Sequence, residues 1–366
     1  MFLLGIGKDL KFMPDRVETA HHPMMHGAQD LPKVIVDTYN EELRDSEGFV
    51  GDRASKGAFT QILEDWRQRM RRLDEDPLGE KPTENISRKR LDKILAEGDP
   101  EAAGLIHGVI EDFAKELATV LRRFLRLKNW RETERVVVGG GLRDSRVGEL
   151  AIGRAAVLLK AEGIDLDLVP IRHHADDAGL IGAVQLVPSW IMSGHDGILA
   201  VDIGGTNIRT GIVATALRKH PDLSAVEVVE RDLWRHADDK PTREEAVKRL
   251  VKMLNGLLKH AAKEKLALAP FIGVGCPGII TESGLIERGG QNLPGDWSDP
   301  GFSLSDRLKE GVGPIEDHEI VVVMHNDAVI QGLSERPFMT DVKHWGVLTI
   351  GTGLGNARFT NKPHRK

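Results

Sequence analysis

At 366 residues the chain is long enough for two domains, each with a substantial core. Its 40% hydrophobic and 29% charged residues are an ordinary globular mixture, and 50 Lys and Arg against 56 Asp and Glu leave a net charge of -6, which argues against nucleic acid or an anionic membrane as the main partner and for a small molecule. The single cysteine, Cys276, excludes an internal disulfide and a multi-cysteine zinc site, no run approaches the roughly 20 apolar residues of a membrane span, and Met1–Gly7 is too short for a signal core, so a cytoplasmic protein is expected.

In chain order, residues 1–40 join a short apolar start to a histidine-rich patch that runs from Val17 to His26. Glu18 and His21 stand three apart, a spacing that puts both on one face of a helical turn. With His22 and His26 nearby, the patch reads either as a metal site or as hydrogen-bonding groups for a polar ligand. From Asp30 to Arg72 the pattern is helical, with Phe59, Ile62, Leu63 and Trp66 on one face. Residues 73–100 are dense in charge and hold Pro77, Pro82 and Pro100, which predicts a surface excursion with a short helix near 87–97.

Residues 101–127 follow the 3.6-residue period through Ile106, Val109, Ile110, Phe113, Leu117, Val120, Leu121 and Phe124. A β-branched strand, 135–138, then ends in Gly139-Gly140-Gly141 and leads to a helix at 145–162, which reads as a βα unit of a parallel sheet. Ligands collect at the carboxyl ends of such strands, and glycines there let a flat ring lie against the backbone. A strand at 166–170 precedes Asp176-Asp177-Ala178-Gly179-Leu180-Ile181-Gly182-Ala183, where the acids suit a helix amino terminus.

After a linker at 193–197 comes Gly197–Val213, GILAVDIGGTNIRTGIV. Ile198–Val201 reads as a buried strand, Asp202–Asn207 as a tight turn and Ile208–Val213 as the returning strand. Gly204 and Gly205 let backbone N–H groups approach a ligand, Thr206 and Asn207 add side-chain donors for phosphate oxygens, and Asp202 is placed to face a phosphate-bound cation. A plain Gly-Gly hairpin is the other reading. A strand at 225–232, a helix at 242–265 and a strand at 271–275 follow. The last ends in Gly273-Val274-Gly275-Cys276-Pro277-Gly278, but Pro277 turns the chain toward another strand and not into a helix, so a dinucleotide fingerprint is rejected.

Asn292-Leu293-Pro294-Gly295-Asp296-Trp297 reads as the rim of a site for a polyhydroxylated ligand or as a surface turn. A strand at 320–324 leads through His325-Asn326-Asp327 into a helix, where Asp327 is either a cap or a catalytic acid-base group. Finally His344–Phe359, HWGVLTIGTGLGNARF, repeats the strand, glycine turn, strand grammar with Gly351-Thr352-Gly353 at its tip. Two such turns suggest two lobes gripping one polyphosphate. They resemble the superfamily of sugar kinases, heat-shock ATPases and actin, which implies an α/β, two-lobed actin-like ATPase (ribonuclease H-like) fold with a nucleotide and sugar cleft between the lobes.

The segments AVDIGGTNIRTGIV, GVGCPGIIT, NLPGDW, HNDAVIQG, LTIGTGLG, VVVGGGL and DDAGLIGA resemble the ROK family of bacterial sugar kinases and sugar-responsive repressors, though in a different order. In that family the phosphate hairpin lies near the amino terminus and the triple glycine near the carboxyl terminus, so the chain resembles a circular permutation opened just after GTGLG. The resemblance implies residues 1–178 and 323–366 as the larger lobe and 179–322 as the smaller. It implies ATP and Mg2+ as cofactors and a hexose or N-acetylhexosamine as the small-molecule partner. Asp327 would be the general base. Asn292, Asn326, Asp327, Glu18 and His21 would hold the sugar, the last two because Glu18-Thr19-Ala20-His21 matches the family's Glu-x-x-His spacing. Gly204, Gly205, Thr206, Asn207, Gly351, Thr352 and Gly353 would cradle the phosphates, Asp202 would position hydrated Mg2+, and Gly139, Gly140 and Gly141 would line the adenosine pocket. The family's cysteine-rich zinc segment is missing, so no structural zinc is expected. A homodimer is implied by resemblance alone. The rival readings are a regulator without catalysis and a kinase that uses polyphosphate as donor.

Overall fold

A computed structural model describes residues 25–363, apart from the Ser189 side chain. Two five-stranded mixed sheets carry the fold. The strands are β1 Val34–Tyr39, β2 Arg135–Gly139, β3 Asp167–Pro170, β4 Gly197–Ile203, β5 Ile208–Ala214, β6 Glu227–Trp234, β7 Leu268–Cys276, β8 Val321–Asn326, β9 His344–Ile350 and β10 Leu354–Asn361. The first sheet runs β1-β10-β9-β2-β3 and the second β8-β7-β4-β5-β6.

The sheets share one plan. In the second, β4 pairs antiparallel with β5, β5 antiparallel with β6, and β4 and β8 each run parallel to β7. The first repeats this pattern of directions with β9 in the place of β4, β10 in that of β5 and β1 in that of β6. Its third strand therefore comes from the start of the chain and its first two from the end. Val34 lies opposite Asn361, and the Lys362 N–H donates to the Lys33 carbonyl.

The segment 30–55 corrects the helical expectation. Val34, Ile35, Val36 and Thr38 are β-branched, and the first three alternate buried and exposed as edge strand β1. The helix α1, Lys56–Arg71, starts only at Ser55, whose hydroxyl accepts from Ala58 N–H. Behind it lie α2 Arg88–Glu97, α3 Pro100–Leu125 and α4 Arg146–Ala161, which cover the outer face of the first sheet in one apolar cluster. A second cluster fills the space between the sheets, and a third lies between the second sheet and the helices α6 Arg243–Glu264 and α7 Leu304–Gly311.

The chain crosses between the sheets through α5 Ala175–Ile181 and α8 Asp327–Leu333. These helices meet backbone to backbone: a Cβ on Gly182, at the end of α5, would lie 1.7 Å from the Ile330 carbonyl oxygen of α8. The expected lobe boundaries at 178/179 and 322/323 fall inside α5 and β8, and all of β8 belongs to the second sheet.

Candidate active site

Strands β4, β7 and β8 end side by side, with Asp202 opposite Gly275 and Asn326 opposite Cys276. β4 is buried along its whole length, so the apolar run that makes it a strand also fixes where its acid emerges. The strand ends open on a cleft of about 1160 Å³ between the two sheets, lined by Asp202, Asp327, Gly204–Asn207, Gly351–Gly353, Gly140, Gly141 and Asn292.

The two glycine turns meet across this cleft. Thr206 Oγ1 lies 3.4 Å from Thr352 Oγ1, although 146 positions separate them. In the first turn Gly204 N–H donates to the Asn207 carbonyl, His236 Nε2 sits 2.8 Å from the Gly204 oxygen, and Ala237 N–H reaches the Thr206 oxygen. Asn292 packs on the same turn, where a Cβ added to Gly205 would stand 2.9 Å from its Cβ. The second turn is held by Gly351 N–H on the Gly353 carbonyl and by Lys56 N–H, at the start of α1, on the Gly351 carbonyl. The triple glycine passes close to the root of that turn: Gly140 has φ +83°, and a Cβ there would lie 2.3 Å from the Ile350 oxygen.

Asp327 begins α8, where one oxygen accepts from Ala328 N–H at 2.9 Å. Its side chain keeps an opening to the cleft, but crowding by buried neighbours, and then the nearby Asp202 carboxylate, push its pKa up to about 7. That value suits a group that takes a proton near neutrality. Asp202 forms a 3.0 Å ion pair with Arg209 Nη1, and Arg209 also bonds Asp176 at 2.8 Å. Burial pushes the Asp202 carboxyl up against the pull of Arg209, and the two carboxylates hold the guanidinium charged despite its burial. Two acidic side chains thus share one guanidinium.

Asn326 is 2% exposed and does not line the cleft. Its oxygen accepts from Ala328 and Val329 N–H, and its amide donates to the Gly278 carbonyl. Gly139 is likewise buried, one residue beneath Gly140. Asn292 is exposed on the cleft wall, while its neighbour Trp297 is 1% exposed against Phe302 and forms no rim. Glu18, His21 and His22 lie outside the described residues. His26 lies within them, and its Nδ1 accepts from Met324 N–H. Among the described residues no group of three or more His, Cys, Asp or Glu is arranged to hold a metal ion, and no helix is long and apolar enough to cross a membrane.

Sequence reasoning missed Arg209 and His236. Arg209 carried a signal: a four-residue turn puts it directly opposite Asp202, and it is the one charged residue in an otherwise apolar or small strand. His236 carried none, because its partner Gly204 is 32 positions away.

No protein-family profile matches the chain. Over 166 residues it is 28% identical to a glucokinase of Thermotoga maritima, which covers 45% of this chain and 44% of that protein, so the chain spans under half the length of that curated relative. Among solved structures, a candidate N-acetylmannosamine kinase of Listeria monocytogenes overlaps 45% of this chain and 47% of its own at 24% identity and TM-score 0.33. A candidate sugar kinase of Cytophaga hutchinsonii overlaps 45% of this chain and 48% of its own at 21% identity and TM-score 0.33.

Proposed function

We propose that the protein transfers the γ-phosphoryl group of ATP to a hydroxyl of a hexose or N-acetylhexosamine, with Asp327 as the general base. The observation that carries this reading is the meeting of two glycine turns at Thr206 and Thr352 over a cleft whose wall holds an acid raised to about 7. The likeness to a glucokinase supports a sugar as the acceptor. Membership of the ROK family in circularly permuted form belongs to the same proposal, supported by the strand plan that the first sheet completes only with β1 placed after β10.

In this scheme Asp327, ionised, takes the proton of the attacking hydroxyl as its oxygen bonds to the γ-phosphorus. The bond from that phosphorus to the bridging oxygen breaks, and ADP leaves with the electron pair. Gly204–Asn207 and Gly351–Gly353 hold the phosphates by backbone N–H groups and hydroxyls. Gly140 and Gly141 carry the nucleoside, and Gly139 beneath them gives the close packing. Asn292 faces the sugar. Asn326 acts one step back by fixing the start of α8 and the turn at Gly278. Glu18 and His21 complete the sugar site by resemblance.

The donor set fits a cation that arrives with the nucleotide and keeps its own water, not one caged by protein. Asp202 Oδ2 is committed to Arg209, and its Oδ1 makes no hydrogen bond among the described residues, which leaves one oxygen for the water of such a cation. Asp202 would hold hydrated Mg2+ through water, and the ion would neutralise phosphate charge. The test is ADP release, measured over a panel of hexoses and N-acetylhexosamines with ATP and with polyphosphate as donors. One sugar should raise ADP release well above the rate without acceptor. If none does, the kinase reading falls.

A further inference from the structure

One polar group in the cleft has no place in this scheme. Gln331 lies four residues after Asp327 on α8, one turn along the same face and about 6 Å further in. Its side chain lines the cleft, yet its Oε1 is buried and has no hydrogen-bond partner among the described residues. It sits under the triple glycine, 3.5 Å from where a Cβ on Gly139 would be. The same point lies 3.4 Å from Cδ1 of Ile171, a buried apolar side chain that offers that oxygen nothing to bond. Leaving a buried carbonyl oxygen bare opposes folding, and such a group calls for a partner that arrives later.

The chemistry of that partner is restricted. An amide oxygen only accepts, and phosphate oxygens at neutral pH only accept, so the partner brings O–H or N–H. Gln331 stands between the acid that begins α8 and the glycines that line the nucleoside side of the cleft. At that position a bound nucleotide offers O–H donors from two sources, its ribose hydroxyls and the water on its cation.

We infer that Gln331 is a nucleotide-binding residue whose Oε1 accepts a hydrogen bond from an O–H donor carried by the nucleotide complex. This rests on the kinase reading above, and the test separates the two. Calorimetric titration would compare wild type and Gln331→Leu with MgADP, metal-free ADP, and the magnesium complexes of 2′-deoxy-ADP and 3′-deoxy-ADP, with thermal midpoints of the unliganded proteins alongside. Gln331→Leu should bind MgADP about tenfold more weakly, while its thermal midpoint stays level or rises because a bare oxygen has gone. A purely structural glutamine would lower the midpoint instead.

If the donor is ribose, wild type loses the same factor with one of the deoxy nucleotides and the variant loses nothing further. If it is cation-bound water, the difference between the proteins vanishes with metal-free ADP. MgADP binding within twofold of wild type, or a lowered midpoint, overturns the inference and leaves the kinase reading standing. Wild-type protein that binds none of these nucleotides overturns both.

Discussion

The two glycine turns have the same grammar and opposite support. The turn at Gly204–Asn207 is braced by His236, by Ala237 and by Asn292 against Gly205. The turn at Gly351–Gly353 has Lys56 N–H at its base, Thr352 and Gly353 are exposed, and among the described residues nothing stands within 4 Å of a Cβ added to Gly353. A strand-turn-strand pattern thus fixes that a loop exists, while its rigidity comes from residues remote in sequence. The second sheet carries the braced turn and the acid, and the first contributes a turn that a ligand must steady.

The severest break removes what both turns serve. Asp327→Ala should lower sugar phosphorylation on the order of 10²–10⁴-fold while ADP affinity, read by calorimetry, stays near wild type. Gly205→Ala against Gly353→Ala tests the asymmetry itself. The first forces a methyl to 2.9 Å from the Asn292 Cβ and should weaken ADP binding by about tenfold or more, whereas the second meets open space and should stay within about twofold. Equal losses would mean that the bracing is irrelevant.

Acidity sharpens the picture on the braced side. Because the Asp327 pKa is raised to about 7, the base is protonated below that pH and ionised above it. The rate constant kcat/KM should therefore fall about tenfold per unit as pH drops below 7 and level off above. A flat profile down to pH 5 would remove the base from the scheme. A milder loss than that of Gly205→Ala belongs to the brace: His236→Ala frees the Gly204 carbonyl, and ADP should bind about three- to tenfold more weakly.

What could be read from the sequence was whatever is local. The βα unit at 135–161, the hairpin at 197–214 and the acid after a buried strand all declare themselves within a short run of chain, and each is present. Long-range pairing did not show. The stretch that forms β1 reads as helix from sequence because its β-branched run gains meaning only from β10, more than 300 positions away. Asn326 reads as a ligand group or a cap because a short polar side chain beside an acid can do either, and its bond to the Gly278 carbonyl across the fold lies beyond local reading. Gln331 went unremarked for the same reason: an amide on a short helix is ordinary until its oxygen is found without a partner.

The contact between α5 and α8 has a mechanical consequence. Where Gly182 touches the Ile330 carbonyl, no side chain cushions the crossing, and the two halves share a fulcrum made of main chain. Nothing can be inserted at that point: a methyl on Gly182 would collide with the Ile330 carbonyl, so Gly182→Ala would have to part the two helices. Parting them there would tilt one sheet against the other and carry the tips at Thr206 and Thr352 out of reach of each other, three residues along the helix from Asp327.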